Sequence, residues 1–215
     1  MRTKAVLFDF DGTLADTAPD LGAAVNRMLV EQGHEPLPLE RLRPFASAGA
    51  RGLLHAAFGL KPDDAEYKAQ REVFLEYYAE ALCQHTRLFP GVEDLLKDLK
   101  RREVRWGIVT NKALRFTEPI CAALKLKPDA VSCGDSTPHL KPHPASLLHA
   151  AEQLKLPVDT CIYLGDDLRD MKAARAAGMR PVAVEWGYHH PDHGGPGTWE
   201  AEAVIAHPRD VLELL

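Results

Sequence analysis

The sequence predicts an α/β protein, a parallel sheet flanked by helices, with an all-helical block inserted near its start. Three observations predict it. Short β-rich apolar runs recur along the 215-residue chain, and helical patterns lie between most of them. Over one long early stretch the alternation fails and only helical periodicity remains. The apolar runs end in acids, a hydroxyl or an amide, where the carboxyl ends of parallel strands line ligand sites.

The first run, "AVLFDF", reads as a buried strand. Residues 16–87 then show helices only. Leu21, Ala24, Val25, Met28 and Leu29 follow the i, i+3, i+4, i+7, i+8 rule, with Pro19 suited to the first turn and Gly33 to a C-terminal cap. A short helix is expected at 50–58 and a long one at 64–84, the latter with Tyr67, Phe74, Tyr78 and Leu82 inward. The aromatic group Tyr67, Phe74, Tyr77 and Tyr78 reads as helix-packing core. "LFPGV" (88–92) returns the chain to the sheet. Further strands are expected at "VRWGIVT" (104–110), "AVSC" (130–133), "TCIYLGD" (160–166) and "PVAVEW" (181–186), with helices at 112–124, 144–155 and 168–177. Alternation of this kind implies helices on both faces and right-handed crossovers. Residues 1–15 and 88–215 are therefore expected to form one core, and 16–87 a second, helical domain.

Composition excludes several functions. The balance is 26 basic against 31 acidic residues, a net of −5, with no block of like charge, so nucleic acid is not a partner. Cys83, Cys121, Cys133 and Cys161 form no C-x-x-C pair and are too few for a disulfide scaffold, which suits a reducing cytoplasm. Asp9 interrupts the apolar start too early for a signal peptide, and no apolar run reaches membrane-spanning length. No G-x-x-x-x-G-K-[ST] occurs, which rules out a P-loop nucleotidase. The expected protein is cytoplasmic, a monomer or homodimer, acting on a small molecule.

The ends of the apolar runs carry the chemistry. "VLFDFDGTLADT" supplies Asp9 and Asp11, the next strand supplies Thr110 and Asn111, a loop supplies Lys141, and "GDDLRD" supplies Asp166, Asp167 and Asp170. Clustered carboxylates repel one another and need a cation, and oxygen-only ligands suit Mg²⁺ held together with a substrate phosphate. Thr110 and Lys141 can hydrogen-bond and neutralise a phosphoryl group. Asp9 can attack phosphorus, and Asp11, two residues on and on the same side of an extended chain, can move the proton.

"DFDGTLADT", "VTNK", "HLKPHP" and "GDDLRD", in this order and spacing, resemble the four motifs of the haloacid dehalogenase superfamily. The resemblance implies a Rossmann-like core with a helical cap inserted after the first motif, and a phosphomonoester hydrolase working through an aspartyl-phosphate. It implies Asp9 as nucleophile and Asp11 as acid and base, with Thr110, Asn111 and Lys141 on the phosphate. Mg²⁺ would be held by Asp9, the backbone carbonyl of Asp11 and Asp166, with Thr13, Asp167 and Asp170 in support. Nearly the whole chain is similar to the phosphoglycolate phosphatase branch. Longer matches such as "GARGLLHAAF" and "GYHHP" look closer to phosphatases of N-acetylmuramic acid 6-phosphate in cell-wall recycling. Either ester is small and carries a carboxylate. The resemblance also places "FASAGARG" (45–52) over the site, where Gly49 allows close approach and Arg51 would anchor that carboxylate. Two residues depart from the common pattern: Ala113 stands where proline is frequent, and Asp167 where many relatives have serine.

Competing readings are weaker. A phosphomutase on the same fold would return the phosphoryl group to substrate. A dehalogenase has no use for the metal acids, and a phospho-receiver domain has none for the helical block. His189, His190 and His193 in "HHPDH" suggest zinc, but the Pro/Gly-rich context and lack of a nearby cysteine favour a flexible loop at the site mouth.

Overall fold

The structure is a computed structural model and describes residues 2–215. Strand β1 (Ala5–Phe8) lies inside a sheet of order β5-β4-β1-β6-β7-β8, every neighbouring pair parallel. The other strands are β4 (Arg105–Val109), β5 (Ala130–Ser132), β6 (Cys161–Gly165), β7 (Arg180–Val184) and β8 (Ala203–Ile205). β1 is buried along its length, Val6 and Phe8 in one apolar cluster and Ala5 and Leu7 in the other. A strand covered on both faces reads as an unbroken apolar run, and "AVLF" does. β1 pairs with β4 on one side and β6 on the other, so the chain reverses its winding there, and the ends of these three strands open on one crevice.

Before that return to the sheet, a two-residue antiparallel pair, β2 (Ala15–Asp16) with β3 (Arg87–Leu88), joins the ends of the helical block. The block contains α1 (Ala18–Glu31), α2 (Leu39–Leu42), α3 (Gly49–Phe58) and α4 (Tyr67–Glu80). α1 buries the expected Leu21, Ala24, Val25, Met28 and Leu29, and Gly33 takes φ +78° behind it. α4 is shorter than the predicted 64–84. A turn closed by the Asp64 carboxylate on the Lys61 amide (2.7 Å) precedes it, and Phe74 and Tyr78 are its buried residues, while Tyr67 and Leu82 are half-buried. Tyr77 is half-buried against that core, with its hydroxyl on Glu31 and Arg27 over its ring at the surface.

Around the sheet run α5 (Val92–Arg101), α6 (Leu114–Ala123), α7 (Ala145–Leu154) and α8 (Leu168–Ala177). α5 and β8 go beyond the predicted elements. α5 buries Val92, Leu95 and Leu99 on one stripe and follows the acid-first, base-last polarity of the helix dipole. α6 starts two residues later than predicted, because the Thr110 hydroxyl accepts the Lys112 amide (3.1 Å) and holds residues 110–113 in a turn. Among the described residues no helix is long and apolar enough to cross a membrane.

Candidate active site

Asp9 is the first residue beyond β1. Its amide donates to Leu164 of β6 (2.8 Å), which fixes its backbone at the strand ends, and one carboxylate oxygen accepts the Phe10 amide (2.7 Å). Asp166 follows β6, and Asp170 stands in the first turn of α8. One oxygen from each of Asp9, Asp166 and Asp170 lies within 4.8 Å of the others, and all three residues are buried. Lys141 Nζ enters this group at 2.8 Å from Asp9 and 2.7 Å from Asp170, with further bonds to the Tyr163 hydroxyl (2.8 Å) and the Val109 carbonyl (3.2 Å). Three carboxylates stand together with one ammonium, which pairs with Asp9 and Asp170 but not with Asp166. Burial drives the Asp9 carboxyl up to about 7 despite the nearby Lys141, and burial with the facing Asp9 drives Asp166 to about 7 as well. Burial likewise raises Asp170. Burial alone would lower Lys141, but Asp170 and Asp9 outweigh it and raise it. The deficit is about two positive charges, and the donors are all oxygen. A divalent hard cation fits this group.

Glycines let the acids approach. A Cβ on Gly12, which takes φ +88°, would stand 2.2 Å from Asp166 Oδ2, and one on Gly165 would stand 2.3 Å from the Asp170 Cβ. Asp166 is further aimed by the Thr13 hydroxyl (3.2 Å), the Ser47 hydroxyl (2.8 Å) and the Tyr188 amide (2.9 Å). Asp11 stands beside the cluster rather than in it. Its carboxylate accepts from the Thr17 hydroxyl and pairs with Lys112 Nζ at 3.0 Å. Lys112 in turn lies over the Tyr78 ring, 4.7 Å from its centroid.

The cluster opens into a cavity of about 730 Å³ between the sheet ends and the helical block, lined among others by Thr110, Asn111, Lys112, Arg51 and Tyr67. A model of the family described as haloacid dehalogenase-like hydrolase matches residues 6–184. The chain is 40% identical to the N-acetylmuramic acid 6-phosphate phosphatase of Pseudomonas aeruginosa, over 100% of this chain and 96% of that protein. It is 42% identical to the phosphoglycolate phosphatase of Xanthomonas campestris pv. campestris, over 98% and 95%. The chain belongs to the haloacid dehalogenase-like hydrolase family. Its fold is also that of a protein from Lactobacillus delbrueckii subsp. bulgaricus, provisionally named a phosphoglycolate phosphatase. That crystal structure matches with a TM-score of 0.86 at 28% identity, over 100% of this chain and 98% of the other.

Within this haloacid dehalogenase-like site the remaining residues divide plainly. Asn111 turns its amide to the backbone of Lys141, donating to its carbonyl (3.1 Å) and accepting its amide (2.8 Å), so its side chain clamps the Lys141 loop. Asp167 faces away from the acid cluster. Burial would raise it, but its bonds with Arg169 hold it at about 2; it caps α8 and accepts from His193 (3.0 Å between Nδ1 and Oδ2). The loop predicted to be flexible is tied down: beyond that bond, the His190 ring meets Phe45 edge-on and His189 Nε2 lies 2.8 Å from the Val184 carbonyl. Gly49 takes φ +57° at the start of α3, with Arg51 exposed on the cavity wall. Sequence reasoning missed Lys112, Tyr163, Ser47 and Arg169, whose Nη2 donates to the Ser47 carbonyl (3.0 Å). Each stands inside a stretch already singled out, Lys112 in "VTNK", Arg169 in "GDDLRD", Ser47 in "FASAGARG" and Tyr163 in "TCIYLGD", without a feature that marks its own role.

Proposed function

We propose that the chain is a Mg²⁺-dependent phosphomonoester hydrolase, with residues 16–87 as a cap over the site. The observation that carries this reading is the buried group Asp9, Asp166 and Asp170 closed by a single lysine, Lys141. Asp9, Asp166 and the Asp11 carbonyl would hold the metal, with Asp170 keeping Lys141 in place. Bound there, Mg²⁺ supplies charge that offsets repulsion between the Asp9 carboxylate and a phosphate dianion.

The chain's own groups do the rest. Thr110, Lys141 and the backbone at Asn111 bind the phosphoryl oxygens. Asp9 attacks phosphorus, the bond to the ester oxygen breaks, and Asp11 gives that oxygen a proton. The product alcohol leaves Asp9 as an aspartyl-phosphate. Asp11, now ionised, takes a proton from a water that attacks the phosphorus; the acyl phosphate bond breaks and Asp9 returns with inorganic phosphate released. Lys112, 3.0 Å from Asp11, keeps that carboxylate directed at the leaving side.

The leaving group is read as a small carboxylate-bearing molecule. The relatives act on phosphoglycolate or on N-acetylmuramic acid 6-phosphate. A cavity of about 730 Å³ is of the size that encloses a sugar or a drug-sized ligand, and phosphoglycolate would leave most of it to water. We therefore favour the sugar phosphate, and with it a place in cytoplasmic peptidoglycan recycling, which suits four free thiols. The test is phosphate release from both esters with and without chelator. A preference for phosphoglycolate would reverse the choice of substrate. Isomerised sugar phosphate in place of free phosphate would make the protein a mutase.

A further inference from the structure

Six cations line the cavity, and they fall into two groups. Lys112, Lys141 and Arg169 each sit on carboxylates, of Asp11, of Asp9 and Asp170, and of Asp167. Arg51, Arg71 and Arg115 do not: among the described residues none of them makes an ion pair or a side-chain hydrogen bond, and Arg115 lies instead over the Phe116 ring, 4.6 Å from its centroid. The one lining acid outside the catalytic group, Asp135, accepts the Leu114 amide (3.0 Å). Three unpaired positive charges at one cavity oppose the overall sign of a chain whose net charge is −5. Like charges placed together stabilise nothing by themselves; they are the arrangement that takes up an anion.

That anion is not the phosphoryl group, whose place is the buried floor at Asp9 and Lys141, whereas all three arginines are exposed. Guanidinium forks match a carboxylate with two parallel hydrogen bonds. Tyr67, Phe74 and Phe116 between them offer apolar faces to a ring. Arg51 and Arg71 stand on α3 and α4 of the helical block, and Arg115 on α6 beside the sheet.

We propose that Arg51, Arg71 and Arg115 form a second anion subsite, which binds a carboxylate carried on the far side of the leaving group and so ties the helical block to the sheet through the substrate. The inference rests on the hydrolase reading above and specifies its substrate class as a sugar phosphate bearing a carboxylic acid remote from the ester. N-acetylmuramic acid 6-phosphate and N-acetylglucosamine 6-phosphate differ only by a lactyl ether with its carboxylate, so the pair isolates the subsite.

The experiment measures kcat/KM on both esters for the wild type and for Arg51→Ala, Arg71→Ala and Arg115→Ala. The wild type should prefer the carboxylate ester, and each substitution should lower the ratio of the two kcat/KM values about tenfold to a hundredfold, the usual value of a charge-assisted contact. Arg→Lys should restore part of it. No wild-type preference, or equal losses on both esters, would overturn the subsite while leaving the hydrolase intact. Calorimetric titration of the Asp9→Asn protein with the carboxylate ester separates the two readings. Binding that weakens in the arginine variants supports the subsite even where the parent shows no turnover, and binding indifferent to them refutes it.

Discussion

Replacing Lys141 with methionine removes the one ammonium in the buried acid group, where it pairs with Asp9 and Asp170. Lys141 is only 5% exposed, and its Nζ contacts Asp9 at 2.8 Å and Asp170 at 2.7 Å. Taking one partner from a buried ion pair costs about 3–5 kcal/mol, because the remaining charge is left without compensation. For a chain of this length each kcal/mol moves the melting temperature by roughly 2–4 °C, so the expected fall is roughly 6–20 °C. The sign of its pH dependence follows from Asp9. Its folded pKa of about 7 lies above the unfolded carboxyl value, so the folded state holds the extra proton at lower pH and metal-free stability declines as pH rises toward 7. Without Lys141 the pKa climbs further and the decline extends to higher pH. The gap between wild type and variant should therefore widen from about pH 6 to about pH 8. Thermal unfolding followed by circular dichroism, in chelator and again in excess Mg²⁺, measures it. Mg²⁺ should recover much of the loss, since a cation then supplies the missing charge. A variant that melts within about 2 °C of wild type at the higher pH, in chelator, would refute the view that Lys141 is the counterion of this cluster.

Other expectations follow from the same geometry. Asp9→Asn should fold normally and lose turnover by several decades; activity within about tenfold of wild type, free of deamidation, would remove Asp9 from the nucleophile's role. Turnover should require Mg²⁺ and be inhibited by excess Ca²⁺, whose longer bonds and higher coordination number can draw both Asp9 oxygens away from attack; full rates in chelator, with residual metal measured as absent, would exclude this. Gly12→Ala combines a Cβ 2.2 Å from Asp166 Oδ2 with φ +88°, so it should weaken Mg²⁺ binding and turnover together, and an unchanged Mg²⁺ titration would show that Asp166 lies outside the metal site.

The fold was legible where burial made the sequence monotonous. β1 and β6 are buried on both faces, so they read as short apolar runs, and an acid directly after such a run stands out. The order of strands was not legible, because pairing β1 with both β4 and β6 is a property of the packed sheet. β8 is a three-residue edge whose middle residue is exposed, too short to show a period. α5 was legible in principle: its apolar stripe and terminal charges are present in "VEDLLKDLKR", but the "LFPGV" turn beside it drew the segment into a connection.

The site was legible in its acids and not in their partners. Asp166 and Asp167 are adjacent, identical in type and both nearly inaccessible. Asp166 is the residue next to the end of β6, directed at Asp9, and burial with that facing acid lifts it to about 7. Asp167 is the N-cap of α8; the turn of the backbone carries its side chain to the Arg169 side, where the guanidinium holds it at about 2 in spite of burial. One peptide step thus separates a carboxylate that lacks a cation from one that already has its own. Only the first can gain from a metal. That distinction depends on where a strand stops and a helix starts, and on an arginine two residues away whose direction the sequence does not state. Ser47 shows the same limit: it lies 119 residues from Asp166 in the chain and 2.8 Å from it in the fold, a contact made where the helical block packs against the sheet ends.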